Sequence, residues 1–204
     1  MIKFSHDDIN AMHHLYRINL INSCSGYKSA NLIGTKSKSG IPNVAVFSSV
    51  THLGSDPAVL GFFLRPTTVL RNTYENILET KSYTINHIHQ DIIEDAHHTS
   101  AKYEKHISEF DKTNLAEEYK PGVEVPFVKN APVQIQMRYI EEYDIKINQT
   151  KLIVGQIETL YLDDTLLHKD GFIELSKANV SAINGLDAYC TPKLKKRMTY
   201  QRPR

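Results

Sequence analysis

The sequence predicts a mainly β protein, an antiparallel β-barrel with flanking helices. Three observations carry that prediction. From Val133 to Leu162 apolar residues alternate with polar ones through successive runs joined by short turns, as strands with one wet face do. Earlier, Pro42–Val50 and Val59–Arg65 are rich in β-branched and aromatic residues and end in turn-forming clusters. Six or seven antiparallel strands would leave unpaired edges, and closure into a barrel removes them.

Taken in order, residues 7–20 follow an acidic start with Ile9, Met12, Tyr16 and Leu20 at helical spacing, which predicts a short amphipathic helix. Ala30–Thr35 is a short apolar strand, and Lys36–Gly40 has turn composition. The next two strands are joined by His52–Pro57, read as a loop. Thr68–Glu79 places Val69, Leu70, Thr73 and Ile77 on one helical face, and Ser82–Ile88 is a strand. Asp91-Ile92-Ile93-Glu94 resembles a capping box opening a second helix, with Ile92, Ala96 and Tyr103 inward. Three alternating strands follow: Val133–Tyr139, Tyr143–Ile147 and Leu152–Leu162, with Asn148-Gln149-Thr150 as a polar turn. Such a meander excludes parallel βαβ units. Beyond Leu167 the chain is mixed, with a turn at Asn184–Asp187 and a basic tail at Lys193–Arg197.

The 204 residues suffice for one substantial domain and not two full ones. A single domain over residues 1–204 is expected, with a core at about 25–165 and a C-terminal extension over 166–204. Basic and acidic residues number 24 and 23, a net charge of +1 that argues against nucleic acid or anionic lipid as a partner. Apolar runs such as Val59–Leu64 are too short to cross a membrane, and Met1–Asp8 has no secretory pattern. Two cysteines, Cys24 and Cys190, make no disulfide framework and suit a reducing compartment, so a cytoplasmic location is expected.

Two segments concentrate the chemistry of a phosphate site. Pro42–Thr51 is a strand ending in Ser48, Ser49 and Thr51, and Phe63–Asn72 runs from a strand through Arg65 and Pro66 toward a helix. Pro66 holds Arg65 extended, and Thr67 or Thr68 is placed to cap the helix. The first turn would then offer free N–H groups and a positive dipole end to an anion. Arg65 and, a turn and a half on, Arg71 and Asn72 would reinforce it. Ser48 and Ser49 point to opposite faces, so one side chain at most meets a given ligand, while backbone groups at the strand end can bind the edge of a planar ring. The plainer reading is a capped helix and a strand entering a loop. Ten histidines raise a metal site, but only His87 and His89 have strand-pair spacing and no acidic or cysteine ligand completes a set. His97, His98, Thr99, Ser100 and Lys102 read instead as a polar wall beside the phosphate or ring. No glycine-rich phosphate loop and no Gly-x-Ser-x-Gly is present, and Cys24 lacks a supporting thiol-enzyme motif.

These residues resemble a known family. The order Ala30-Asn31-Leu32-Ile33-Gly34-Thr35, Pro42-Asn43-Val44-Ala45 with Ser48-Ser49-Val50, Arg65 with Thr68 and Asn72, and Ser82-Tyr83-Thr84-Ile85-Asn86 is similar to the flavin reductase-like family of FMN-binding split barrels. The resemblance implies a Greek-key-like split β-barrel and a homodimer with FMN near the subunit contact. It implies NAD(P)H as co-substrate, the alternative being an FMN-binding electron-transfer or sensor module without its own reductase activity. It maps ring and ribityl contacts onto Asn43, Ser48, Ser49, Val50 and Thr51, with Thr51 or a nearby N–H supporting the reduced ring. Phosphate contacts map onto Arg65, Thr67, Thr68, Arg71 and the stretch Thr99, Ser100 and Lys102, with Asn86 lining the pocket. Since the cofactor carries the redox chemistry, the chain is expected to need no catalytic acid or base and no metal.

Overall fold

The alternating segments build the frame of the molecule, a computed structural model that describes residues 1–203. The helices are α1 (His6–Ala11), α2 (His14–Cys24), α3 (Asn72–Thr80) and α4 (Ile93–His98). The first strands are β1 (Lys28–Ser29), β2 (Asn31–Lys36), β3 (Pro42–Phe47), β4 (Thr51–Ser55), β5 (Ala58–Leu64) and β6 (Ser82–His87). They are followed by β7 (Glu117–Glu118), β8 (Phe127–Val128), β9 (Val133–Ile145), β10 (Thr150–Leu162), β11 (Ala182–Asn184) and β12 (Ala188–Cys190). Seven strands form one antiparallel sheet in the order β3-β2-β6-β9-β10-β5-β4. Small sheets β1-β11-β12 and β7-β8 flank it. No helix is long and apolar enough to cross a membrane among the described residues.

The sheet curls on itself. β3 is one edge and β5 stands beside the other, yet Phe47 of β3 meets Phe62 of β5 edge to face at 5.0 Å. Inside the curl Ile33, Phe62, Tyr83, Ile85, Met137 and Ile153 are almost wholly buried. Each such side chain contributes about 1.5–3 kcal/mol on removal from water. β2 is buried on both faces because a second layer covers its outside, where Leu32 and Val44 pack with Ile88, Ala96, Phe110 and Val128. Two-sided burial explains the apolar run of β2, in contrast to the alternation of β9.

Several local expectations are corrected. The helix read over residues 7–20 is broken at Met12, which is extended (φ −62°, ψ 146°), and neither α1 nor α2 buries a residue. Of the residues at helical spacing, Ile9, Met12 and Leu20 are half-buried and Tyr16 is exposed. The helix read from Thr68 begins at Asn72; Arg71 holds the cap position in extended geometry, and no side chain caps the helix. Thr67 and Thr68 lie in the turn before it, and Val69 and Leu70 are exposed. The start of α3 is set by tertiary ties instead: Asn43 Nδ2 donates to Thr73 Oγ1 at 3.2 Å and Asn76 Nδ2 to Thr35 Oγ1 at 3.1 Å. The capping box does not form either. Gln90–Ile92 is a tight 3₁₀ turn, and the Asp91 carboxylate turns back to His89 at 3.4 Å.

Two strand readings change as well. Most of the segment read as a loop at His52–Pro57 belongs to β4, paired with β5 through an irregularity between His52 and Gly54. Tyr143–Ile147 is no separate strand: β9 runs on to Ile145, with Ile140 left out of register opposite the Val154/Gly155 step. Such a one-residue bulge moves later side chains to the other face, and Tyr143 ends half exposed.

Candidate functional site

The open seam of the curled sheet gathers the hydroxyl-rich segments. β4 pairs with β5 from Thr51 opposite Gly61, and continuing that register puts Ser49 opposite Phe63. There the ladder is replaced by a side chain. Ser49 Oγ donates to the Phe63 carbonyl at 3.0 Å and accepts from the Phe63 N–H at 3.1 Å. The end of β3 is thereby fixed two residues from Arg65. Ser29 Oγ donates to the Val50 carbonyl at 2.9 Å, and Asn31 Nδ2 donates to Ser29 Oγ at 3.0 Å, bracing the same segment from β1 and β2. Ser48 and Thr51 keep hydroxyls that bond no protein group among the described residues.

From the end of β5 the chain crosses through Pro66 and the exposed Thr67-Thr68 turn to Arg71. Arg71 Nε is buried without a hydrogen-bond partner. Arg65, Arg71 and Lys102 join none of the ion pairs among the described residues. An orphaned guanidinium N–H costs free energy unless an anion completes it. A phosphate would do so, and the two adjacent threonine hydroxyls and the uncapped start of α3 add neutral donors. The residues present therefore fit the phosphate end of the cofactor that the sequence resemblance implies.

The loop after α4 is drawn against the same helix. Lys105 Nζ reaches Glu75 in the first turn of α3 at 2.5 Å, so the chain leaving Thr99, Ser100 and Lys102 runs back toward Arg71. Farther on, Glu109 Oε2 accepts the Val44 N–H at 3.2 Å, which ties this loop to the edge strand β3. Burial raises the Glu109 carboxyl above its ordinary range, opposed in part by its backbone hydrogen bonds, Val44's among them.

The thirteen residues singled out from the sequence fall into two sets. Ser48, Val50, Thr51, Arg65, Thr67, Thr68, Arg71, Ser100 and Lys102 lie along the seam, its crossing turn and the loop beside α3. The others have committed side chains. Asn43 is buried on Thr73, Ser49 bridges to Phe63, and Thr99 Oγ1 bonds the Ala96 carbonyl at 2.7 Å. Asn86 is fully buried rather than open to a pocket. Its amide donates to the Leu32 carbonyl and Thr84 Oγ1, and its carbonyl accepts the Val128 N–H at 3.0 Å. His97 and His98 bond Tyr189 and Tyr103, at 3.2 and 2.6 Å. Ser29, Lys105 and Glu109 were missed; each acts through a contact distant in sequence, and no local pattern marks them.

This arrangement has known counterparts. A structure from Shewanella frigidimarina NCIMB 400, provisionally named a flavin reductase with split barrel domain, superposes at a TM-score of 0.95 with 43% identity over 98% of this chain and 100% of that one. Nitrilotriacetate monooxygenase component B from Bacillus cereus shares the fold at a TM-score of 0.83 and 15% identity, covering 97% and 98% of the two chains. The FMN-binding protein from Thermus thermophilus does so at 0.71 and 15% identity, covering 87% and 93%. The family model described as Flavin reductase like domain matches residues 26–174, which include every candidate residue from Asn43 to Lys102. With that model spanning well over half of its length, the chain belongs to the flavin reductase-like family, and its curled antiparallel sheet is a split barrel of that kind.

Proposed function

We propose that the protein is an FMN-binding oxidoreductase of the cytoplasm, working as a homodimer. It uses NAD(P)H to reduce FMN, or to reduce an acceptor through bound FMN. The observation that carries the reading is Arg71, whose buried Nε has no partner at the uncapped start of α3 in a family that handles flavin. Arg65, Arg71, Thr67 and Thr68 would hold the phosphate, with Ser100 and Lys102 closing over it from the loop that Lys105 anchors. Ser48, the Val50 backbone and Thr51 would meet the ribityl chain and ring edge. Asn43, Ser49, Asn86 and Thr99 act as braces, because their side chains are already committed. Hydride transfer from nicotinamide C4 to flavin N5 is the chemistry the cofactor would supply. The protein's part is to orient the two rings and to offer Thr51 or a neighbouring N–H to the charge on the reduced ring.

Two measurements test the reading. FMN titrated into the purified protein should quench flavin fluorescence at one flavin per chain. The loaded protein should then consume NADH or NADPH, seen as loss of nicotinamide absorbance. Flavin uptake without nicotinamide consumption would favour an electron-transfer or sensor module reduced by another protein. A flat titration would remove FMN altogether.

A further inference from the structure

A cavity of about 450 Å³ lies beside Ser29, the residue that braces Val50. Ala30 and Asn31 of β2 form its floor, and Phe172, Ile173, Leu175 and Leu194 from the C-terminal part of the chain roof it. The roof is tied down: Arg197 pairs with Asp170 at 2.6 Å, and its guanidinium stacks on the Phe172 ring at 4.1 Å. The walls are mostly apolar, and the volume is that of a small-molecule site.

The charges of the lining do not balance. Lys28 and Lys193 both belong to it, and neither has a carboxylate partner among the described residues. Lys28 is half-buried, and its Nζ donates to the Gly185 carbonyl at 2.8 Å and the Asn22 carbonyl at 3.2 Å. Lys193 Nζ donates to Asn179 Oδ1 at 2.8 Å. These neutral acceptors hold both ammonium groups in place and leave each with a donor to spare. A charge drawn out of water is ordinarily paired, because neutral acceptors alone do not offset its lost hydration. The one acid of the lining, Glu174, is already shared between His168 at 2.8 Å and Lys177 at 3.4 Å. His87 adds no charge, since burial pushes its pKa down to about 4. The unpartnered Ser181 hydroxyl and His87 Nδ1 have almost no accessible surface and take no part. Lys28 stands opposite Ile183 across β1 and β11, while Lys193 is tied to Asn179, so the two cations flank the apolar space from opposite ends of Val180–Ala182.

We propose that this cavity binds a small apolar carboxylate, its acid group on the Lys28 ammonium and its apolar body between the Ala30 floor and the roof of Phe172 and Leu194. Lys193 at the far end adds to the attraction. Binding of such an acid stands independently of the flavin, since no residue given to FMN lines the cavity.

The test is calorimetric titration of the full-length protein with 1-naphthoate and with 1-naphthamide, its uncharged counterpart of similar shape, each with and without FMN. One 1-naphthoate per chain is expected, bound about tenfold tighter than the amide, as a charged hydrogen bond provides. Lys28→Met should erase most of that preference with little change for the amide, and Lys193→Met should do so to a lesser degree. Leu194→Asp, which sets a negative charge in the roof, should weaken the carboxylate more than the amide. FMN uptake should be unchanged in all three variants. Failure of 1-naphthoate to bind, equal affinity for the two compounds, or equal losses for both in the variants overturns the proposal. Should Lys28→Met fail to fold, Lys193→Met and Leu194→Asp on the exposed strap decide it by the same readout. Competition between 1-naphthoate and FMN also overturns it, since the two would then share one site. Selective binding of 1-naphthoate by a protein that takes up no FMN would leave the cavity assigned and remove only the flavin reading.

Discussion

At the scale of single residues, the charges that matter are the ones without partners. Arg71 has a buried donor facing no acceptor, and Arg65, the residue after β5, joins no ion pair among the described residues. Replacing Arg71 with Ala should weaken FMN by about 1.5–3 kcal/mol, the usual loss for a charged hydrogen bond, and leave riboflavin, which lacks the phosphate, almost unaffected. Arg65→Ala should discriminate in the same direction. Parallel titrations with the two flavins check both, and equal losses would remove these arginines from the phosphate. His87 makes the second prediction. Its pKa is pushed down to about 4 by burial, against 6.5 for a free imidazole. The unfolded chain therefore binds a proton that the folded chain refuses between those values, and stability falls as pH drops from about 6.5 toward 4. The full effect is on the order of 3 kcal/mol, and less because His87 is only partly buried. Urea unfolding at pH 7 and pH 5 should show a smaller stability loss in His87→Gln than in the parent; identical losses would mean that His87 titrates normally.

Among the elements, β6 and β10 are held together at a point where one packs without space for a methyl group. A Cβ on Gly155 would stand 2.1 Å from the Tyr83 hydroxyl and 2.9 Å from the ring carbon bearing it. That hydroxyl is itself buried without a partner, and its pKa is raised by burial. Gly155→Ala should destabilise by about 1–3 kcal/mol, as overpacking does. Tyr83→Phe should be close to neutral, because the group removed satisfies nothing. The double variant should recover part of the Gly155→Ala loss, a coupling readable from the four denaturation curves of the parent, the two single variants and the double variant. Strict additivity would show that the strain lies elsewhere, against the Arg138 carbonyl. The same elements show what the sequence could and could not reveal. Alternation at Val133–Tyr139 located β9, although its polar face is not wet throughout: Gln134 is buried on Glu118 and the Val128 carbonyl, and of Gln134, Gln136 and Arg138 only Arg138 is exposed; the apolar runs located β2 and β5. The merger of two strands across Ile140 was not legible, since a bulge is decided by the partner strand. The start of α3 was misplaced for a related reason: Thr67 and Thr68 have the chemistry of caps, but the helix starts where Asn43 and Thr35 receive it. The seam followed the same rule. Local pattern could nominate Ser48, Arg65 and Arg71 as candidates, whereas the commitment of Asn43, Ser49 and Asn86 to distant partners could not be read from it.

For the whole molecule, the amino-terminal arm is the feature that the isolated chain does not explain. α1 and α2 bury no residue, while Leu15, Tyr16 and Ile21 are 63%, 55% and 45% exposed. An eleven-residue helix that buries no residue fully is marginal in water, since most helical stability in proteins comes from tertiary burial. Net charge is only +1, so long-range repulsion offers little resistance to association of two copies. The homodimer proposed above gives the arm a surface to cover. Light scattering should then report twice the chain mass, and removal of residues 1–24 should shift the protein toward monomer. The deletion spares the core residues that fill the curl, from Ile33 to Ile153, so the far-ultraviolet signature of the sheet should persist. If flavin sits near the subunit contact, FMN affinity should fall in step with the monomer fraction and recover at high protein concentration, where mass action restores the dimer. A truncated protein that stays dimeric would move the contact away from the arm. A full-length protein that is monomeric and still takes up one FMN per chain would confine the whole flavin site to the seam between β3 and β5.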